Sequence, residues 1–257
     1  MLNAVQAIIL GILQGITEWL PVSSSGHLAV AQHYLGLDVP IAFDVMLHVA
    51  TLLVILVFFR TDIQAILKAL GKRDFASPHG KLLLYVIIGS IPTAIIGFTF
   101  RYSFESMYAS MLMVGCALVV TGFILALGRL GGNGKRKLGW WRSVLVGAAQ
   151  GLAVAPGISR SGATIGTSLF LGLKREQAIR FSFLLAVPAI LGAMIFQLDG
   201  LVVSGIGIDA LAGGFLASLV VGYLSLKLVI RLVMDRRFSW FAVYCIGLGV
   251  VLVLLNI

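Results

Sequence analysis

The sequence predicts an all-α polytopic membrane protein with six transmembrane helices and two re-entrant helical hairpins, arranged as an inverted-topology internal repeat. Three observations predict it. The 257 residues are 60% hydrophobic and only 11% charged, with a mean hydropathy of +1.06, which leaves too few polar residues to cover a soluble domain of this size. Two polar, broken stretches interrupt the apolar pattern at a constant spacing: Gln14 and Gln150, Gly26 and Gly162, Leu35 and Leu171 are each 136 residues apart. One register held over more than twenty residues indicates internal duplication. The basic residues, finally, segregate to one set of loops.

The elements follow in chain order. From Met1 to Leu37 there is no Lys or Arg, yet Glu18, Pro21 and the serines at 23–25 break the apolar run. Crossing the hydrocarbon core takes about 20 residues, so this segment is too short for two crossings and too broken for one. It reads as a re-entrant hairpin, which is tolerated where protein or a water-filled cavity surrounds it. Three spans follow, roughly Ile41 to Phe59, Leu82 to Phe100 and Met107 to Gly128. The second hairpin runs from Ser143 to Leu173, and the last spans are roughly Phe181 to Leu198, Ala210 to Leu226 and Phe238 to Leu255. The whole chain, 1–257, is a single membrane domain, with repeat one at about 1–128 and repeat two at about 143–257. Three spans per repeat is an odd number, so the second repeat is inverted and the hairpin tips meet near the midplane.

Charge placement fixes the sides. Under this count seventeen of the 19 Lys and Arg lie on one face, Arg101 alone lies opposite, and Arg160 is in the membrane. The basic face is the cytoplasmic one. The net charge of +9 is therefore a topology signal, and no nucleic-acid partner is expected. The Gly131-Gly132-Asn133-Gly134 stretch reads as a flexible loop at the repeat junction. Cys116 and Cys245 lie in separate apolar spans without close Cys or His neighbours, so neither disulfide nor zinc framework is expected. No removable leader is expected, because no Lys or Arg precedes the first apolar run.

Arg160 is the only charged residue among the 31 between Arg142 and Lys174. An arginine in a membrane is costly and marks a site. Pro156 and Gly157 break the helix beside it, and serines after the break cap a new one starting near Ser161. A helix N-terminus beside a guanidinium is an anion site. At the matching positions of the first repeat stand Glu18, Ser24 and His27. Glu18 shares a helix face with Gln14. Ser24 and His27, three residues apart, can share another, so carboxylate, hydroxyl and imidazole are the parts of an activated nucleophile, with the attacking group left open. Ser23 and Ser25 read as caps or phosphate-binding hydroxyls. Asp44 and His48 read as a structural pair or a site wall, His33 and His79 as interfacial, and Trp19, Trp140, Trp141 and Trp240 as aromatic-belt residues.

The run Gln14-Gly15-Ile16-Thr17-Glu18, followed by Pro21-Val22-Ser23-Ser24-Ser25-Gly26-His27 and by Pro156-Gly157-Ile158-Ser159-Arg160-Ser161-Gly162-Ala163-Thr164, resembles the undecaprenyl-diphosphatase, or bacitracin-resistance protein, family over the whole chain. Where some members carry Glu at the first position this chain has Gln14, leaving one carboxylate instead of two. The resemblance implies hydrolysis of undecaprenyl diphosphate to the monophosphate and inorganic phosphate on the outward face of the plasma membrane, with a divalent cation, Mg²⁺ or Ca²⁺. On this reading catalytic roles are expected for Glu18, Ser24, His27 and Arg160 and substrate contacts from Gln14, Ser23, Ser25, Ser159, Ser161 and Thr164, with Glu18 either coordinating the metal or acting in proton transfer. The expected partners are an isoprenoid diphosphate lipid and the bilayer, with the oligomeric state open between monomer and homodimer. Inverted repeats with broken helices are also a transporter signature, so a flippase for a phosphorylated isoprenoid lipid is the alternative.

Overall fold

The computed structural model describes residues 2–131, 134–197 and 206–257, and their regular structure is helical apart from one parallel bridge between Arg136 and Leu173. Helix α1 (Ala4–Trp19) and α2 (Ser24–Tyr34) form the first broken pair. They are followed by α3 (Ile41–Phe58), α4 (Arg60–Gly71), α5 (Pro78–Thr99), the short α6 (Arg101–Met107) and α7 (Met111–Leu130). The second broken pair is α8 (Trp140–Leu152) and α9 (Arg160–Phe170), followed by α10 (Arg175–Gln197), α11 (Ile208–Met234), a 3-10 turn (Phe238–Trp240) and α12 (Phe241–Leu255). Among the described residues five helices are long and apolar enough to cross a membrane, or six if the bent pair α3 and α4 is one span. Gly132, Asn133 and Leu198, on which part of the loop and span reading falls, lie outside the described residues.

Several boundaries differ from the sequence expectation. The basic stretch after the first span is helix α4, which turns by 76° from α3 and buries Ile66 and Ala69. The third span begins at Met111, after α6, and Ser110 caps it through Met113 N. Helix α11 runs past Leu226 to Met234, carrying Lys227 and Arg231 as helical residues. Trp19 is not a belt residue: it is 2% exposed and packs edge-on against Phe183 in the largest apolar cluster, with ring centroids 5.7 Å apart.

The packing brings both breaks inward. Helix α1 lies along α11 and α8 along α5, each pair touching at glycine. A Cβ on Gly11 would sit 2.2 Å from Gly214 O, and one on Gly147 would sit 2.0 Å from Gly89 O. Small residues let helix backbones approach this closely, which is how helices associate where no water drives them together. Gly11 and Gly147 are again 136 residues apart. So are α2 and α9, both 11 residues long, and their capping serines Ser23 and Ser159.

Candidate active site

The two breaks are tied to each other before any functional group is placed. Ser23 holds a left-handed backbone at φ 70, uncommon for a residue with a side chain. Its Oγ accepts from Gly26 N at 3.2 Å, capping α2, and from Gly157 N in the other break at 3.1 Å. Gly157 has φ 96 and lies so near α7 that a Cβ would be 2.5 Å from Val114 O. Thr121 of α7 secures the same break: its hydroxyl donates to Gly157 O at 2.8 Å and accepts from Ser159 N at 3.0 Å. Ser159 caps α9 through Gly162 N at 3.0 Å, and Ser161 Oγ donates across to Leu20 O at 3.2 Å. Helix α9 starts at Arg160, one residue earlier than expected.

These restraints gather the polar groups on Glu18, whose side chain is 2% exposed. Ser24 Oγ donates to Glu18 Oε2 at 2.5 Å, and Gln14 Nε2 donates to the same oxygen at 2.9 Å. Arg160 Nη2 stands 3.3 Å from Glu18 Oε1, and His48 Nε2 stands 3.6 Å from Oε2. A buried carboxylate needs such partners, because an unpaired charge in low dielectric is strongly disfavoured. Arg160 Nη1 is buried and has no protein partner among the described residues. One prong of the guanidinium is therefore held and the other is free to bind an anion.

The groups border a cavity of about 180 Å³ lined by Glu18, Ser23, Ser24, Ser25, Ser159 and Arg160, with His48, Thr93, Tyr108 and Gln150 beside them. Its remaining wall includes apolar residues of α10, Ala189, Ile190, Ala193 and Met194. Helices α2 and α9 both begin at this cavity, so two positive dipole ends add to Arg160.

The expected residues divide accordingly. Ser161 and Thr164 do not line the cavity; Thr164 Oγ1 donates back to Arg160 O at 2.8 Å. Gln14 acts on Glu18 from behind. His27 is not brought to Ser24: its Nδ1 donates to Ser23 O at 2.7 Å, which leaves Nε2 to accept from Tyr244 OH at 2.8 Å. Three residues advance a helix to about 60° short of a full turn, and Tyr244 of α12 holds the imidazole on that neighbouring face. His48, read as part of a wall, is the imidazole beside Glu18, with its Nδ1 donating to Asp44 O at 2.8 Å. Tyr108 and Thr93 carried no sequence signal. Gln150 did, as the counterpart of Gln14: its Nε2 donates to Leu185 O at 3.2 Å, and its Oε1 is buried without a partner among the described residues.

A divalent cation does not find a protein cage here. Glu18 is the one carboxylate among the described lining residues, and both its oxygens already face donors. No group of three or more His, Cys, Asp or Glu among the described residues is placed to hold a metal.

Two broken helices hold a carboxylate, a hydroxyl and a half-free arginine around one cavity, inside a protein whose long apolar helices make it multi-pass in a membrane. The model of the bacitracin resistance protein BacA family matches residues 7–251, and the chain belongs to that family. Relatives carrying the name undecaprenyl-diphosphatase match end to end. The protein of Desulfosudis oleivorans is 44% identical, covering 96% of this chain and 97% of the relative. That of Carboxydothermus hydrogenoformans is 40% identical over 99% and 98%, and that of Methanosphaera stadtmanae 37% identical over 100% and 99%.

Proposed function

We propose that this chain is an integral membrane phosphatase that hydrolyses undecaprenyl diphosphate to undecaprenyl phosphate and inorganic phosphate. It recycles the lipid carrier of cell-wall synthesis, the activity behind the resistance for which the family is named. The observation that carries this reading is the position of Glu18 between Ser24 at 2.5 Å and Arg160 at 3.3 Å. A carboxylate against a hydroxyl is a base against a nucleophile, and a guanidinium with one free prong suits a phosphoryl group whose charge builds in the transition state. In the proposed reaction Ser24 Oγ attacks the terminal phosphorus and its proton passes to Glu18. The bridging P–O bond breaks, undecaprenyl phosphate leaves, and water then hydrolyses the phosphoserine to release inorganic phosphate. Arg160 and the N-termini of α2 and α9 hold the phosphoryl oxygens throughout, with Ser25 and Ser159 at the cavity wall. Gln14 and His48 orient Glu18, and His27 fixes the backbone of Ser23. The protein donors around Glu18 form no cage for the divalent cation that the resemblance implies, which would supply charge neutralisation of the diphosphate.

Each broken pair is a re-entrant hairpin, and the repeats are inverted, as supported by the matching lengths and caps of α2 and α9 and by the matched packing of α1 on α11 and α8 on α5. With the basic face in the cytoplasm, the first hairpin enters from outside the plasma membrane and the site opens outward. A cysteine at exposed Ser103 is then expected to react with an impermeant thiol reagent on intact cells, and one at exposed Lys72 is not, in a Cys116→Ala, Cys245→Ala background. The reverse pattern refutes the orientation.

Broken helices facing one another also suit a transporter. Purified protein in detergent separates the two, because no gradient exists there: a phosphatase releases inorganic phosphate and a carrier does not.

A further inference from the structure

A second cavity, larger than the one around Glu18, lies away from the site. It has a volume of about 720 Å³ and opens where α7 and α11 end and where α10 and the turn before α12 begin. Four candidate membrane spans, Met111–Leu130, Arg175–Ile195, Ile208–Met234 and Phe238–Leu255, have an end here, so the cavity sits at the depth of one membrane surface. Arg129, Lys174, Arg175 and Arg236 line it against the single carboxylate of Glu176. The ion pairs among the described residues involve none of these five.

The cations are not explained by the helices they sit on. Arg129 lies in the last turn of α7, where a cation offsets the negative end of the dipole. Lys174 and Arg175 stand at the start of α10, the end that is already positive, where a cation is disfavoured and an anion is favoured. Arg236, in the turn after α11, is near enough to Arg175 to repel it. The wall behind these residues is fixed: Arg136 N donates to Gly172 O at 3.0 Å, tying the preceding strap to the end of α9. The rim also carries exposed apolar side chains, with Met234 42% and Trp240 67% exposed. Basic charge over an apolar rim, at interface depth, matches a phosphate group carrying acyl chains better than a soluble anion.

We propose that this cavity binds the headgroup of an anionic phospholipid on the basic face, at a site separate from the one around Glu18. The binding is independent of the phosphatase reading. The test is native mass spectrometry of the full-length protein with phosphatidylglycerol and with phosphatidylcholine of the same acyl chains. Wild type is expected to retain phosphatidylglycerol in preference. The Arg175→Gln, Arg236→Gln double variant is expected to bind it about thirtyfold more weakly, the effect of two basic charges near an anionic surface, while its phosphate release is unchanged. Removing the same charge elsewhere on that face, with Lys68→Gln and Lys72→Gln, is expected to leave the preference intact. Should the double variant not fold, Lys174→Gln carries the test with a loss of about fivefold. Unaltered binding by the double variant, or by Lys174→Gln where that variant stands in, overturns the proposal. So does equal loss in the Lys68 and Lys72 variant, and so does displacement of the lipid by inorganic phosphate, which would assign the cavity to a free anion.

Discussion

Arg160→Ala protein is expected to release inorganic phosphate from undecaprenyl diphosphate about a thousandfold more slowly than wild type, the cost of losing an arginine that meets charge developing on a transferred phosphoryl group. Two losses combine. Nη1, buried and unpartnered within the protein, is the donor left for substrate. Nη2 neutralises Glu18 from 3.3 Å, so without it a carboxylate 2% exposed loses its strong counter-charge and is inclined to take up a proton. A protonated Glu18 no longer accepts a proton from Ser24. Arg160→Lys restores the charge but not the fork, and is expected to fold while remaining far below wild type. Kinetics on both purified variants, with thermal unfolding as the folding control, check this. Near-normal turnover by Arg160→Ala would remove the arginine from the chemistry.

Glu18→Gln is expected to be nearly as severe, again about a thousandfold, within the range typical for removing a general base. The amide has almost the shape of the carboxylate and its oxygen can still accept the Ser24 hydroxyl, so α1 and the cavity wall are preserved. What is lost is the ability to take the proton, along with the anion that anchors Arg160. The loss is expected in turnover more than in substrate affinity, because Arg160 and the two helix N-termini still bind the diphosphate. A variant that kept its turnover and lost only affinity would make Glu18 a binding residue and move the base elsewhere.

How far the sequence leads depends on what each residue costs to place. Glu18 and Arg160 were legible because a charge in an apolar run is expensive, and Pro156 and Gly157 marked where the helix must break. The constant 136-residue offset was legible from Gln14 to Leu35, and the lengths and capping serines of α2 and α9 keep the same offset. Helix α4 was hidden by its charges: Ile63, Ile66 and Ala69 recur at helical spacing, but Arg60, Asp62 and Lys68 within it and Lys72 and Arg73 just after it resemble loop. Helix α11 overran its expected end for a related reason, since Lys227 and Arg231 reach water on long stems from positions that remain helical. Trp19 misled because tryptophan near a hairpin tip suggests an interface, whereas the tip is buried against Phe183. His27 misled because three-residue spacing gives proximity on a helix, not a shared direction. Tyr108 and Thr93 could not be found at all, since only the packing of α5 and of the α6–α7 connection brings them to the cavity.

An attack by the Ser24 hydroxyl, held on Glu18 at 2.5 Å, is read out by single-turnover phosphate release in detergent. Wild type and Ser24→Ala protein are compared on undecaprenyl diphosphate with no gradient present. Wild type is expected to release one phosphate per lipid, and Ser24→Ala to fall by about a hundredfold or more, since a water must replace the positioned nucleophile. Release by Ser24→Ala at the wild-type rate would exclude Ser24 as the nucleophile.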